Sequence, residues 1–394
     1  MAKFFFSSSF LLFLGNWIGQ IGLNWYVLTS YHNAVYLGLV NFCRLVPILI
    51  LSVWAGTIAD KYDRGLLLRI TITSSFLVTA LLCVCTFTMS NISIIVILIY
   101  ATLRGMLNAV ETPVRQALLP DLSERLNTSQ AVSYHSFIIN ICRSIGPAIA
   151  GIILAAYHAP ATFLTQAICY LVAALFCIPL HFERVHSDVS KTKEYSLKFV
   201  WEYFKRNAQA SRIFITSLII MATGFSYTTL VPVLVHRIFP GKSEIFGISM
   251  TFCAIGGMIA TLLLPIILKK INTVSMYYLS SCLFGLALLG VVIQNVVIMF
   301  TSMALVGLFS QWARTSNRIY FQEQVSPKNR GKILSIVMMD RGMIPLGSLL
   351  MTALSDWIGV LTTFIVMGLF TTVVALIVHL MQRTTKVEES NNAK

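Results

Sequence analysis

The sequence predicts an all-α membrane protein of twelve transmembrane helices, arranged as two pseudo-symmetric six-helix bundles. Three observations predict it. The 394 residues are 57% hydrophobic and only 11% charged, against about 25% charged in a soluble domain. The apolar residues fall in long unbroken runs rather than in alternation, so helices, not a closed barrel, satisfy the backbone in lipid. Lys and Arg gather in alternate connections, the pattern of cytoplasmic loops. A span needs roughly 20 residues, and a chain of this length with short loops has room for about twelve.

The candidate spans run over 7–29, 35–58, 66–89, 92–113, 128–156, 160–182, 208–236, 243–268, 273–293, 296–324, 331–355 and 358–381. The first, carried by Phe4 to Leu28, is long enough to cross the membrane and is expected to be a span rather than a cleaved signal. Lys61, Arg64, Arg69, Arg115, Arg125, the basic residues of 184–206, Lys269, Lys270, Lys328, Arg330, Lys332 and those of the tail share one side; the other side has Arg237 and Lys242. This asymmetry puts both termini in the cytoplasm. The expected organisation is a bundle over 1–182, a cytoplasmic linker over 183–206, a second bundle over 207–382 and a cytoplasmic tail over 383–394. Tyr195 to Phe204 in the linker is expected to form a short amphipathic helix on the membrane surface, and Thr384–Lys394 to be disordered. A weak internal repeat supports two halves: Arg143-Ser-Ile-Gly-Pro147 and Arg341-Gly-Met-Ile-Pro345 each follow a basic loop containing a proline, Pro120 and Pro327.

Composition also excludes function classes. The net charge of +14 reports membrane orientation, because the cations sit in alternate loops, so no nucleic-acid partner is expected. The eight cysteines lie in apolar stretches, with no CxxC pair and no His at metal spacing. They read as small packing residues, and no metal site or cofactor is expected. No HExxH, nucleophile elbow or paired carboxylates are present, and the seven histidines share no spacing. An enzyme is therefore not expected. The phosphate-binding loop GxxxxGK[ST] is absent, which argues against ATP-driven transport.

Gly56-Thr-Ile-Ala-Asp60-Lys61-Tyr-Asp63-Arg64-Gly65 resembles the loop signature of the major facilitator superfamily, G-x-x-x-D-[RK]-x-G-[RK]-[RK], between its second and third spans. Asp63 stands where that signature has glycine, and Gly65 where it has a basic residue. This variant, with Thr112-Pro113-Val-Arg115-Gln116-Ala-Leu-Leu-Pro120 and Ser326-Pro327-Lys-Asn-Arg330-Gly331-Lys332, is similar to a subgroup of exporters that includes enterobactin exporters and macrolide-efflux proteins. The resemblance covers nearly the whole chain. It implies the major facilitator fold and a monomeric secondary transporter in the bacterial cytoplasmic (inner) membrane, working by alternating access. It also implies that Asp60 meets the start of the eleventh helix near Gly331–Leu334, where unpaired N–H groups favour an anion. Gly56, Asp60, Arg64 and Arg115 would then form a cytoplasmic gate. Gly146-Pro147 with Gly151 partly resembles the antiporter motif ending G-P-x-x-G-G. Gly146, Pro147 and, in the repeat, Pro345 are expected hinge residues.

Ionisable residues within spans usually mark a pathway. Here they are lopsided: Arg44, Arg104, Arg143, Arg314, Arg318 and Arg341 against Glu111, Asp340 and Glu323. An arginine-rich interior favours an anion, because guanidinium binds carboxylate as a bidentate fork. Polar stripes at helical spacing accompany the arginines: Asn16, Gln20 and Asn24; Asn41 and Arg44; Arg104, Asn108 and Glu111; Ser136, Asn140 and Arg143. The expected substrate-binding residues are Asn16, Gln20, Asn24, Asn41, Arg44, Arg104, Asn108, Asn140, Arg143, Arg314 and Arg341. Trp17, Trp25, Tyr227 and Trp312 are candidate aromatic walls. Glu111 and Asp340 are the expected proton-coupling acids, with His135 a weaker candidate. The reading is a proton antiporter that exports a small anionic or amphiphilic molecule, a carboxylate-type siderophore being favoured. The alternatives are a multidrug or macrolide efflux pump, or a lysophospholipid flippase.

Overall fold

The computed structural model describes residues 2–89, 92–119, 128–180, 197–325, 333 and 336–392. Thirteen α-helices are named in chain order: α1 Ala2–Tyr31, α2 Ala34–Lys61, α3 Arg64–Thr88, α4 Ile94–Ala117, α5 Thr128–Cys177, α6 Leu197–Arg206, α7 Ala208–Thr223, α8 Tyr227–Ile238, α9 Ser243–Ile267, α10 Thr273–Val291, α11 Val296–Gln324, α12 Met343–Ile358 and α13 Val360–Asn392. Among the described residues, nine helical stretches are long and apolar enough to cross a membrane, with α7 and α8 counted as one and α5 counted once. The kinked α5 holds two spans, and α2 and α12 complete the twelve.

The chain folds into continuous helices because its apolar runs offer the backbone no partner in lipid but itself. Polar residues at the turns end and start them. Asp63 accepts the Leu66 amide at 2.7 Å as the N-cap of α3, which accounts for an aspartate where the superfamily signature has glycine. Asn272 caps α10 at the Ser275 amide, 2.7 Å, and Asn295 caps α11 at the amides of Val297 and Ile298. Between the fifth and sixth spans there is no loop. The helix direction changes at His158, φ 62°, two residues before Pro160, whose missing N–H suits the start of the second half. The seventh span is interrupted by a 3-10 turn at Gly224–Ser226.

Two compact units emerge. One comprises Met1–Lys191 and Val235–Thr251; the other comprises Thr192–Leu234 and Phe252–Lys394. In the first, α1 packs on α5, α2 on α4, and α3 on α4 and α5. Its core joins Phe5, Leu12, Leu68, Ile72, Val114, Leu118 and Tyr170. In the second, α10 packs on α11 and α13, and α7 on α12, around Ile213, Tyr277, Tyr278, Tyr320 and Phe321. Large apolar side chains such as Leu81, Ile152, Leu262 and Leu350 face outward, as a lipid-facing surface requires.

In the linker a helix runs over Leu197–Arg206; residues 195 and 196 of the expected segment lie outside the described residues. The tail differs from expectation: α13 continues helically to Asn392. Lys386, Glu388 and Glu389 are good helix formers, and extending a helix already nucleated costs little.

Candidate functional site

In the first unit the polar stripes resolve into two connected networks. On α2, Arg44 Nη2 donates to Asn41 Oδ1 at 3.3 Å, and Asn41 Nδ2 donates to Asn24 Oδ1 on α1 at 3.1 Å. On α4, Arg104 is buried and donates through Nη1 to Ser75 Oγ on α3. Its Nη2 donates to the Tyr170 hydroxyl on α5 at 2.6 Å. Gln166 holds this arrangement from one turn before: its Nε2 donates to the Tyr170 hydroxyl at 2.9 Å, and its Oε1 accepts from the Tyr100 hydroxyl at 3.2 Å.

The two networks meet because α2 and α4 touch at Gly105. A Cβ there would lie 2.3 Å from the Arg44 carbonyl oxygen, so only glycine permits this approach. The backbones that carry Arg44 and Arg104 are therefore in close contact. Among the described residues no carboxylate forms an ion pair with either. The Glu111 carboxylate, which pairs with Arg115, acts on Arg104 from beyond ion-pair distance, and cations held inside a bundle without a direct ion pair are costly.

Arg115, on the same helix, is arranged differently. It pairs with Glu111 at 3.4 Å and donates to Ser9 Oγ at 2.6 Å. Its guanidinium lies 5.5 Å from the Phe5 ring centroid and 6.0 Å from that of Phe13. His135 packs edge-on to Phe13 at 5.5 Å. Of the other gate candidates, Arg64 donates to the Ala117 carbonyl at 3.2 Å, whereas the side chain of Asp60, like Gly56, lies outside the described ones.

Elsewhere in this unit, Asn140 Nδ2 donates to the Ser136 carbonyl at 2.9 Å and Arg143 Nη2 to Asn140 Oδ1 at 3.0 Å. The buried Arg143 Nε has no hydrogen-bond partner among the described residues. Asn16, Gln20 and Asn108 are half-buried, and Asn108 Oδ1 accepts from Thr112 at 3.1 Å. Of the aromatic candidates, Trp25 stacks on Phe246 at 6.1 Å and meets His236 edge-on. At the expected hinge, Pro147 lies within α5 while the departure from helical geometry falls at His158. A Cβ on Gly146 would sit 2.6 Å from Trp17 Cβ, and one on Gly247 would sit 2.4 Å from the Pro147 carbonyl oxygen.

In the second unit, Arg314 donates to Gln311 Oε1 at 3.0 Å and lies over the Phe225 ring, 4.9 Å from its centroid. With Ser217, Tyr277 and Asn317 it lines a small crevice. Asn317 Nδ2 donates to the buried Asp340 Oδ2 at 3.4 Å. Asp340 belongs to a 3-10 turn that leads into α12 and Pro345. Trp312 donates to the Ala260 carbonyl, and Tyr227 packs against Cys253. The side chain of Arg341 is outside the described ones. Sequence reasoning missed Ser75, Tyr100, Gln166 and Tyr170. The available signal was the polar pair Gln166 and Tyr170, one turn apart in a span otherwise apolar.

A bundle of membrane-crossing helices with arginines buried inside it is the architecture of a membrane transporter. The chain matches the family described as Transmembrane secretion effector over residues 3–394 and belongs to that family of the major facilitator superfamily. It is 67% identical over 394 residues to the "Staphyloferrin A transporter" of Staphylococcus aureus (strain NCTC 8325 / PS 47), covering 100% of this chain and 99% of that one. It is 21% identical to "Macrolide efflux protein A" of Streptococcus pyogenes, covering 94% of this chain and 93% of that one. Among solved structures, the nucleoside transporter NupG superposes with a TM-score of 0.79 at 15% identity, covering 96% of this chain and 98% of that one. A bacterial homologue of the lysosomal transporter Spinster gives a TM-score of 0.71 at 11% identity, covering 97% of each chain. These two likenesses establish the major facilitator fold.

Proposed function

We propose that this transporter exports a carboxylate-type siderophore of the staphyloferrin A kind across the bacterial cytoplasmic membrane, in exchange for protons and by alternating access. The observation that carries the reading is the Arg44–Arg104 pair, two guanidiniums inside the bundle whose hydrogen-bond partners are neutral. Carboxylates are the natural complement of such forks. The 67% identity to a staphyloferrin A transporter supports the same substrate class. Arg143, with a buried donor unused among the described residues, and the asparagines 16, 24, 41, 108 and 140 with Gln20 would extend the site in the first unit. Arg314 and Arg341 would serve the second.

Asp340 is proposed as the principal proton carrier, being a buried carboxylate beside Asn317. Glu111 is the other acid, and its pairing with Arg115 gives it a structural role as well. Gly56, Asp60, Arg64 and Arg115 are proposed for the gate, and Gly146, Pro147 and Pro345 for the hinges. The working unit is proposed to be a monomer with both termini in the cytoplasm.

The test is secretion. Cells with and without the gene are grown under iron limitation, and the chelator in medium and cytoplasm is measured by mass spectrometry. Loss from the medium with accumulation inside is expected. An unchanged profile with altered macrolide tolerance would move the reading to drug efflux. For coupling, Asp340→Asn is expected to abolish pH-gradient-driven uptake into inverted vesicles while leaving substrate exchange; gradient-driven uptake at the wild-type rate would remove Asp340 from this role.

A further inference from the structure

The substrate site leaves one feature of the second unit unused: the short helix α6, Leu197–Arg206, outside the spans. A single residue, Asn207, separates it from the membrane-crossing α7. The junction is tied on both sides. Asn207 Nδ2 donates to the Tyr203 carbonyl at 2.8 Å, and Ser211 Oγ donates to the Phe204 carbonyl at 2.5 Å. A helix fixed this way at the foot of a span sits at the level where lipid headgroups begin.

One edge of α6 is anchored on protein. Phe204 stacks on Phe214 of α7 at 4.9 Å and meets Phe321 of α11 edge-on at 6.0 Å. The neighbouring edge is open. Trp201 is 73% exposed, and Lys205 is exposed beside it, while Arg206, also exposed, lies about 140° around the helix from Trp201. At 3.6 residues per turn, Trp201 lies about 40° around the helix from Lys205 and about 60° from Phe204, on opposite sides. An indole therefore stands on the border between an apolar, protein-bound edge and a charged one. In water such a side chain leaves a large apolar surface exposed, whereas at a membrane surface its ring and N–H are both satisfied. The ten residues carry Lys198, Lys205 and Arg206 against Glu202, a positive balance facing a leaflet that is negatively charged where anionic lipids are present. Basic amphipathic helices with a tryptophan at the border lie in that plane.

We propose that the α6 edge formed by Trp201 and Lys205, with Arg206 a second cation farther round at the helix end, is a docking surface for anionic phospholipid headgroups, with the indole seated at the headgroup–acyl boundary and the cations on the phosphates. The surface holds the start of the second unit to the membrane and is independent of which substrate is carried.

The test uses the full chain in vesicles of phosphatidylcholine with or without phosphatidylglycerol. Trp201→Phe provides the reference, so that the emission difference from wild type isolates Trp201 among the six tryptophans. Brominated acyl chains report membrane contact and aqueous iodide reports water contact. The expected result is loss of most of the Trp201 emission to brominated lipid, stronger with phosphatidylglycerol, and no iodide quenching. In Lys205→Glu/Arg206→Glu the phosphatidylglycerol dependence is expected to vanish while the protein stays folded. Three results would overturn the proposal: quenching by iodide instead of brominated lipid, quenching by neither, which would mean protein covers the indole, or equal lipid quenching in both vesicle types.

Discussion

Arg104 and Arg115 lie on the same helix, both buried, and they teach opposite lessons. Arg115 has its acid: Glu111 one turn away, Ser9 from α1, and the faces of Phe5 and Phe13 beside it. The charge is answered by Glu111, so the cluster ties α4 to α1, although its buried Nε has no hydrogen-bond partner among the described residues. Arg104 donates only to neutral partners, Ser75 and Tyr170, its backbone lies against that of Arg44, and Glu111 acts on it from beyond ion-pair distance. A buried cation left with neutral partners is expensive, and a transporter can use that expense by letting an anionic cargo supply the missing charge. On the proposed function, the difference separates an arginine that holds the fold from one placed to receive the cargo.

That contrast can be broken experimentally. The largest expected effect is on binding: Arg104→Ala should weaken siderophore affinity by about 2–5 kcal/mol, roughly thirty-fold or more, with little change in folded yield. Titration of the purified protein checks it. Glu111→Ala should do the reverse. Leaving Arg115 buried and unpaired costs about 3–5 kcal/mol of stability, read as a lower thermal midpoint in detergent, while the folded fraction still binds. Gly105→Ala brings a Cβ against the Arg44 backbone, an overpacking cost of about 1–3 kcal/mol; it should weaken both stability and binding, because it moves Arg44 off Arg104. Tyr170→Phe removes one hydrogen bond to a charged group, worth about 1.5–3 kcal/mol, and leaves the guanidinium in place, so its binding loss is expected to be smaller than that of Arg104→Ala. A binding loss there smaller than that of Arg104→Ala would sharpen the ranking, and a larger one would assign the site to the tyrosine.

Much of this was legible from local spacing. Asn41 with Arg44 and Asn140 with Arg143 sit three residues apart, and the structure joins each pair by a hydrogen bond, because the helical period alone brings them together. The amphipathic linker helix was legible for the same reason. What the sequence hid depends on contacts between spans. Gly105 reads as one glycine among 22 until α2 is laid against it. Gln166 and Tyr170 look like isolated polar residues until they meet Tyr100 and Arg104. Arg115 reads as a loop cation and gate residue, since nothing in the sequence places Ser9 beside it. Asp63 looked like a departure from the superfamily signature, and its capping role emerged only with the start of α3.

The central claim is that the Arg44–Arg104 pair receives an anionic cargo, and the most direct measurement is calorimetric titration of purified protein with iron-free staphyloferrin A and, in parallel, with a macrolide. The account predicts that wild type binds the siderophore, that Arg44→Ala and Arg104→Ala lose that binding while remaining folded, and that Arg104→Lys retains part of it. Unchanged siderophore binding in folded Arg104→Ala, or binding of the macrolide alone, would contradict it.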